Sequence, residues 1–269
     1  MASPTEVGAS PGLMAPAPRP AHLPELEGLD LKARYYADRC GGDFFDGVRL
    51  GSRVVFLLTD IAGGRAEAHP IAAEMQKVFR AKAQELFESP GTNESEGIAL
   101  LARDVNRALM EAAHGIRFAP AFLGSFNLVV GALTYHNAGL VAVFRDAEGA
   151  RVLGSDGIPM GLFTHSTYEP ALLAFERGAR LLIVTKGVTE SRRAATTFGV
   201  ERVQRVLENS STDSALSICE DVLREAHDFD NHPWSRIYDF LHPGKQRCKD
   251  DLTAVALVRR GQPSGDLTR

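Results

Sequence analysis

Arg53-Val54-Val55-Phe56-Leu57-Leu58-Thr59-Asp60 is the stretch that decides how the rest of the chain is read. Val54 to Leu58 is an unbroken apolar run of strand length, rich in β-branched and aromatic side chains, and its lack of alternation marks a strand buried on both faces. Upstream, Leu31 to Tyr36 reads as a further strand. Downstream come two amphipathic helices, one with Ile71, Met75, Val78, Phe79, Leu86 and Phe87 at helical spacing up to Pro90, the other with Ile98, Leu101, Val105, Leu109 and Met110 before Gly115. Strand-like segments resume at Phe122 to Tyr135, Leu140 to Arg145, Arg151 to Leu153 and Ala171 to Phe175, and a second apolar run, Leu181 to Val184, ends in Thr185-Lys186-Gly187. Val203, Val206 and Leu207 mark a helix that Asn209 ends; Leu216 to Ala226 marks another, and Leu252 to Val258 a last strand. Hairpin-spaced strands with paired helices, and no internal repeat, indicate one α+β domain in packed layers.

Composition bounds the function without naming it. The 269 residues are 44% hydrophobic and 24% charged, and 30 basic against 34 acidic side chains leave a formal net charge of −4. That balance gives no whole-chain attraction to nucleic acid or to an anionic membrane, and no local basic patch stands out. Cys40, Cys219 and Cys248 lie far apart with no Cys-x-x-Cys pair, which gives neither a zinc ribbon nor a redox dithiol and fits a reducing cytoplasm. Residues 1–22 carry Pro4, Pro11, Pro16, Pro18 and Pro20 where a signal peptide needs an apolar run, so a flexible Pro/Ala-rich tail is expected. No segment approaches the roughly 20 apolar residues that span a bilayer. The expectation is a soluble, cytoplasmic domain over residues 23–260, without nucleic-acid or membrane partners, followed by a flexible C-terminus at 261–269. Within it, residues 227–249 form an irregular insertion containing Pro233, Trp234, Pro243 and Gly244. It reads either as a recognition element or as a solvated excursion with Trp234 and Phe240 pinned to the core.

The chemistry-bearing residues are acids at strand ends. Asp43 and Asp46 lie in Gly41-Gly42-Asp43-Phe44-Phe45-Asp46, Asp60 closes the buried strand, and Asp250-Asp251 precede the last one. Strand ends project from the rim of a sheet, so carboxylates distant in sequence can converge there, where they repel one another unless cations lie between them. Hard oxygen donors select Mg²⁺ or Mn²⁺. Taken by spacing alone, the same aspartates also read as turn and cap residues. Other site types lack support: there is no Gly-x-Ser-x-Gly elbow and no Walker-type loop. His227, His232, His242 and Cys248 match no common zinc spacing, while His69 before Pro70 reads as a helix-entry residue and His136 as a strand or turn residue.

Six ordered motifs carry a resemblance to a known family. They are Gly41-Gly42-Asp43-Phe44-Phe45-Asp46, Thr59-Asp60-Ile61-Ala62-Gly63, Asn137-Ala138-Gly139, Gly157-Ile158-Pro159-Met160-Gly161-Leu162, Thr185-Lys186-Gly187-Val188-Thr189-Glu190 and Asp250-Asp251-Leu252-Thr253. From about Leu23 to Arg259 the chain resembles the SpoIIE-type branch of the PPM (protein phosphatase 2C-like) metal-dependent protein serine/threonine phosphatases. The resemblance implies a four-layer αββα sandwich of two antiparallel sheets flanked by helix pairs. It also implies two Mg²⁺ or Mn²⁺ ions at one end of it. Asp60 resembles the carboxylate bridging the metals, with the Ile61 carbonyl as a neighbouring ligand; Asp43 resembles an acid holding metal or its waters, and Asp250 the last-motif ligand. Asp46 and Asp251 read either as acceptors behind the ligands or as turn residues. The implied reaction is hydrolysis of a phosphomonoester by a metal-activated water, on a phosphorylated partner protein such as an anti-sigma-factor antagonist.

The departures from the family pattern define the functional question. Where the family reads Thr-Asp-Gly with a metal-ligating Asp, this chain has Lys186 before Gly187. At about 4 Å and an effective dielectric near 20, a unit charge and a divalent ion interact by roughly 8 kcal/mol before solvation losses, so an ammonium there exchanges attraction for repulsion. Fewer metals, or none, are then expected, and an ammonium can itself neutralise Asp60 and Asp250. The alternative to an enzyme is a pseudophosphatase binding module in which Lys186 replaces a metal ion. The turn after Asp60 reads Ala62-Gly63-Gly64-Arg65 where the family has Ser-Gly-Lys-Gly, and Asn137-Ala138-Gly139 is followed by Leu140 in place of His. Arg65 is expected to be solvent-exposed, the alternative being contact with a phosphate.

Overall fold

The computed structural model describes residues 18–19, 21, 23–36, 41–154, 157–193, 195–231 and 250–261. Strands β1 (Leu29–Tyr36), β2 (Asp43–Leu50) and β3 (Arg53–Asp60) are followed by helices α1 (Arg65–Phe87) and α2 (Glu94–Ala112). Next come β4 (Ala121–Asn127), β5 (Ala132–Ala138), β6 (Val141–Asp146), β7 (Gly149–Leu153), β8 (Ala171–Ala174) and β9 (Arg180–Val184). A short helix α3 (Lys186–Glu190) and the two-residue strands β10 (Arg192–Arg193) and β11 (Thr196–Thr197) lead to α4 (Gly199–Asn209), α5 (Ala215–Asp230) and β12 (Leu252–Arg259). The strands form two five-stranded antiparallel sheets, ordered β2-β3-β4-β5-β8 and β1-β12-β9-β6-β7.

The strand period of two sorts the side chains into layers. From β3, Val54, Phe56 and Leu58 point between the sheets, where they meet Phe122, Phe126, Phe144, Leu181, Ile183, Val255 and Leu257. Val55 and Leu57 point outward, beneath Met75, Phe79, Leu101 and Val105 of α1 and α2. In the second sheet Leu182, Val184, Ala254 and Ala256 face Val206, Ile218 and Val222 of α4 and α5. The result is the expected αββα sandwich, with the quoted stretch covered on both sides.

Buried polar clamps fix the helices on the first sheet. Arg53 donates to the carbonyls of Ser89 and Pro90 just beyond α1 at 3.1 and 2.8 Å, and its Nε contacts Glu94 at the start of α2 at 2.6 Å. Glu94 also accepts from Ser125 and Asn127 of β4. Asp46 faces the opposite side of β2 from Asp43, as an odd separation in a strand requires. It is fully buried and accepts from both Nε and Nη2 of Arg80 (2.6 and 2.9 Å) and from Gln76 (3.1 Å), all on α1.

Local differences from the sequence reading have physical causes. Phe122 to Tyr135 is two strands, because the Asn127 side chain accepts from the amides of Val129 and Val130 and Gly131 adopts φ 70°, closing a hairpin despite apolar residues in the turn. α1 begins at Arg65, so His69 and Pro70 lie inside it and not at its entry. Arg65 is exposed, with its Nε donating to His69. Position 43 opens a strand that the motif reading passed over, and α5 runs on to Asp230. Most of the 227–249 segment, with His232, Trp234, Phe240, His242 and Cys248, lies outside the described residues, as do Cys40 and nearly all of residues 1–22 and 261–269. No helix among the described residues is long and apolar enough to cross a membrane.

Because a buried charge stripped of its partner is costly, Arg80→Ala is expected to destabilise the domain by about 3–5 kcal/mol in urea unfolding. A change under about 1 kcal/mol, the usual worth of an exposed pair, would remove Asp46–Arg80 from the account of how α1 is held.

Candidate functional site

The aspartates meet at one rim of the sandwich. β2 and β3 pair so that Asp43 lies directly opposite Asp60. Beyond β3 the chain is pinned from both sides: Asp60 N–H donates to Pro120 O, Ile61 N–H to Gly42 O, and Ala62 N–H to Phe118 O. Gly42 is required for this approach, since a Cβ there would stand 2.1 Å from the Ile61 carbonyl oxygen.

The second sheet contributes from above. Thr185 follows β9 and Thr253 lies in β12, and both hydroxyls donate to Oδ2 of Asp43, Thr185 at 2.7 Å. Thr185 occupies the N-cap position of α3, yet its hydroxyl makes no cap bond because it is committed to Asp43. Asp251 is buried and accepts from Gly41 N–H at 2.9 Å, tying the residues that lead into β2 to those that lead into β12. α3 lies directly over Asp250-Asp251, where a Cβ on Gly187 would meet Asp251 O at 2.1 Å. The backbone amide of Lys186, first in α3, faces the Asp60 carboxylate and favours its ionised form.

Electrostatically the cluster carries more negative charge than its surroundings solvate. Burial, reinforced by Asp60 and Asp251 and opposed by the two threonine hydroxyls, holds Asp43 well above the usual carboxylate range. Asp60 is pushed up to about 6, first by burial and then by Asp250. Asp250, at the exposed edge, is raised by its partial burial and by Glu190 and Asp251. The Lys186 ammonium is the opposing charge for both Asp60 and Asp250. It remains more than half exposed, 3.5 Å from Glu190 one helical turn on.

Asp43, Asp60, Asp250, Asp251, Lys186 and Gly187 are thus assembled in one place, with the Ile61 carbonyl beside them, while Asp46 is held away by α1. Gly63 sits in the turn beyond Asp60 at φ 121°, a conformation that favours glycine. The sequence reading missed Arg117, whose Nη1 donates to Ala62 O at 2.8 Å and whose Nη2 pairs with Glu67 at 2.6 Å. A Cβ at position 63 would lie 2.0 Å from its Nη1, so glycine and arginine together shape the turn. The roles of Thr185 and Thr253 were missed as well, although both stood inside quoted motifs. Among the described residues no three His, Cys, Asp or Glu side chains form a group arranged to hold a metal ion.

Comparisons with known proteins agree with this architecture. Protein IcfG of Synechocystis sp. is 24% identical over an aligned length of 229 residues, a match that covers 77% of this chain and 36% of IcfG, so the chain spans about a third of that relative's length. The phosphatase domain of the cell fate determinant SpoIIE of Bacillus subtilis, solved with a fragment of its regulatory domain, superposes with a TM-score of 0.65 at 14% identity, covering 86% of this chain and 63% of that one. The catalytic domain of the serine/threonine protein phosphatase PstP, solved with two manganese ions, superposes with a TM-score of 0.56 at 14% identity, covering 87% and 100%. The family model described as Stage II sporulation protein E (SpoIIE) matches residues 51–260, from the turn before the buried strand to the end of β12. The chain belongs to the SpoIIE family, and its fold is the one seen in the solved PP2C phosphatase domains.

Proposed function

We propose that the domain is a phosphoprotein phosphatase that removes phosphate from serine or threonine of a partner protein, of the kind represented by a phosphorylated anti-sigma-factor antagonist. One observation carries this reading: Asp43, Asp60 and Asp250 converge on one rim, each with its carboxyl held above the ordinary range by burial and by its neighbours. Such a set is poised for a hard cation. In this reading the hard oxygen donors of Asp60, the Ile61 carbonyl and Asp43 would hold a first Mg²⁺ or Mn²⁺, the side chains drawing together on binding, since without an ion they form no ready metal-binding group. On the Asp250 side the ammonium of Lys186 supplies a positive charge that opposes a second ion.

A divalent cation bound there supplies Lewis acidity, lowering the pKa of its water and offsetting charge on the phosphoryl oxygens. The protein's own part is positional. Thr185 and Thr253 fix Asp43 through its Oδ2. The Lys186 amide favours the ionised form of Asp60, and the Arg117–Gly63 turn keeps the backbone beyond it closed. A second reading, a binding module without catalysis, is favoured by the Lys186 charge beside Asp60 and Asp250.

Aryl-phosphate hydrolysis with Mn²⁺ separates the two. The enzyme reading expects slow activity in the native chain that EDTA removes, a loss of about 10–100-fold or more in Asp60→Asn, and a gain in Lys186→Asp. Activity confined to Lys186→Asp would establish the binding-module reading, and activity indifferent to Asp60→Asn would refute the site.

Stability of the metal-free chain gives an independent check. Asp60 binds its proton more tightly folded, at about 6, than unfolded. The folded state therefore holds more protons across that window, and stability falls as pH rises from about 4 to about 6. In EDTA, Asp60→Asn should flatten this decline and stabilise the chain at neutral pH by about 1–3 kcal/mol, read by thermal or urea unfolding. Equal pH slopes in the two proteins would contradict the crowded-carboxylate description.

A further inference from the structure

A second charged site lies outside the carboxylate cluster, between the β10–β11 hairpin, α4 and α5. There a cavity of about 340 Å³ is lined by Arg193, Arg202, Arg205, Glu225, Asp228 and Phe229, with the buried Phe198 at its base. The guanidiniums of Arg193 and Arg202 both stack on the ring of Phe229, 4.9 and 4.6 Å from its centroid, and Phe198 meets that ring edge-on at 5.7 Å. Stacking on one ring gathers two like charges that would otherwise separate, and it leaves the in-plane N–H groups available.

The protein does not use those donors to neutralise itself. Arg202 donates to the carbonyls of Thr197 and Phe198, at 3.0 and 2.6 Å, which fixes its orientation. Among the described residues, no carboxylate lies within ion-pair distance of Arg193, Arg202 or Arg205, although Glu225 and Asp228 share the same cavity. Asp228 is instead directed to His227, at 3.5 Å. Two guanidiniums held on one ring, with the Arg205 guanidinium lining the same cavity, match the planar, bidentate recognition of an oxyanion. Two acids on the α5 wall limit the net positive charge, which suits a single phosphoryl or carboxylate group and disfavours a polyanion.

We propose that this cavity binds an oxyanion, with a phosphoryl group as the best-matched ligand. The site does not depend on the chemistry at Asp60, and Arg193 is joined to α3 through Ser191, whose hydroxyl donates to Gly187 O at 3.0 Å. The phosphoryl group can come from a phosphorylated side chain of a partner or from free phosphate.

The test uses the full chain in EDTA, so that the carboxylate cluster offers no metal to a phosphate. The arginine Nε–Hε resonances are followed while inorganic phosphate, a short phosphoserine peptide or its glutamate counterpart is added at millimolar concentration. Shifts at Arg193, Arg202 and Arg205 that saturate, and that weaken about tenfold or more in Arg193→Gln/Arg205→Gln, are expected. Glu225→Gln should tighten binding, and Arg205→Lys, which keeps charge but loses the fork, should weaken it. Tighter binding of the phosphopeptide than of free phosphate identifies a protein-borne ligand, and equal binding identifies the free anion. Unmoved arginine resonances with every probe, or affinity unchanged in a double variant that melts like the native chain, would overturn the proposal.

Discussion

The rim of the sandwich depends on one buried carboxylate. Asp43 begins a strand of the first sheet, and its Oδ2 accepts two hydroxyls, from Thr185 and Thr253 of the second. This contact joins the sheets deep in the rim, for Asp43 is 4% exposed. Once it is fixed, the remaining geometry follows. Thr253 N–H in turn donates to the Thr185 hydroxyl, and Thr185 N–H to Thr253 O, so β9 and β12 end level with each other. α3 must then start over Asp250-Asp251, with its first amide toward Asp60, which lies opposite Asp43 in register. The charges are brought together by backbone register, not by mutual attraction.

That arrangement stores electrostatic strain. Three carboxyls are raised by burial and repulsion, with a single ammonium set against two of them. A cation relieves the strain, and so does protonation. Lys186 relieves part of it permanently while lying largely in solvent, where it is screened and also shared with Glu190. Its effect is therefore graded: it lowers the demand for metal without filling the place of one as a buried ammonium would.

Much of this was legible in the sequence. The unbroken run before Asp60 gave a strand with two buried faces, and the continuous burial of β3, with successive side chains entering different cores, bears that out. The converging aspartates followed from their strand-end positions. What escaped depended on contacts remote in sequence or on exceptions to local pattern. Val129 and Val130 are exposed apolar residues in a tight turn, so β4 and β5 read as one segment. Asp46 shares a motif with Asp43, but strand parity sends it to Arg80, and no spacing rule names a partner 34 residues away. Arg117 reaches the Gly63 turn from 55 residues beyond Ala62, the residue it binds, with no motif of its own. The arginine cavity was invisible because its charges come from three separate elements and are not clustered along the chain.

The central claim is that Asp60 anchors a cation and Lys186 opposes another. Manganese stoichiometry, measured by calorimetry or by the loss of the free-ion paramagnetic signal at fixed ionic strength, tests it most directly. The account requires one Mn²⁺ per native chain, none in Asp60→Asn, and two in Lys186→Asp. Two equally tight ions in the native chain, or binding unchanged by Asp60→Asn, would contradict it.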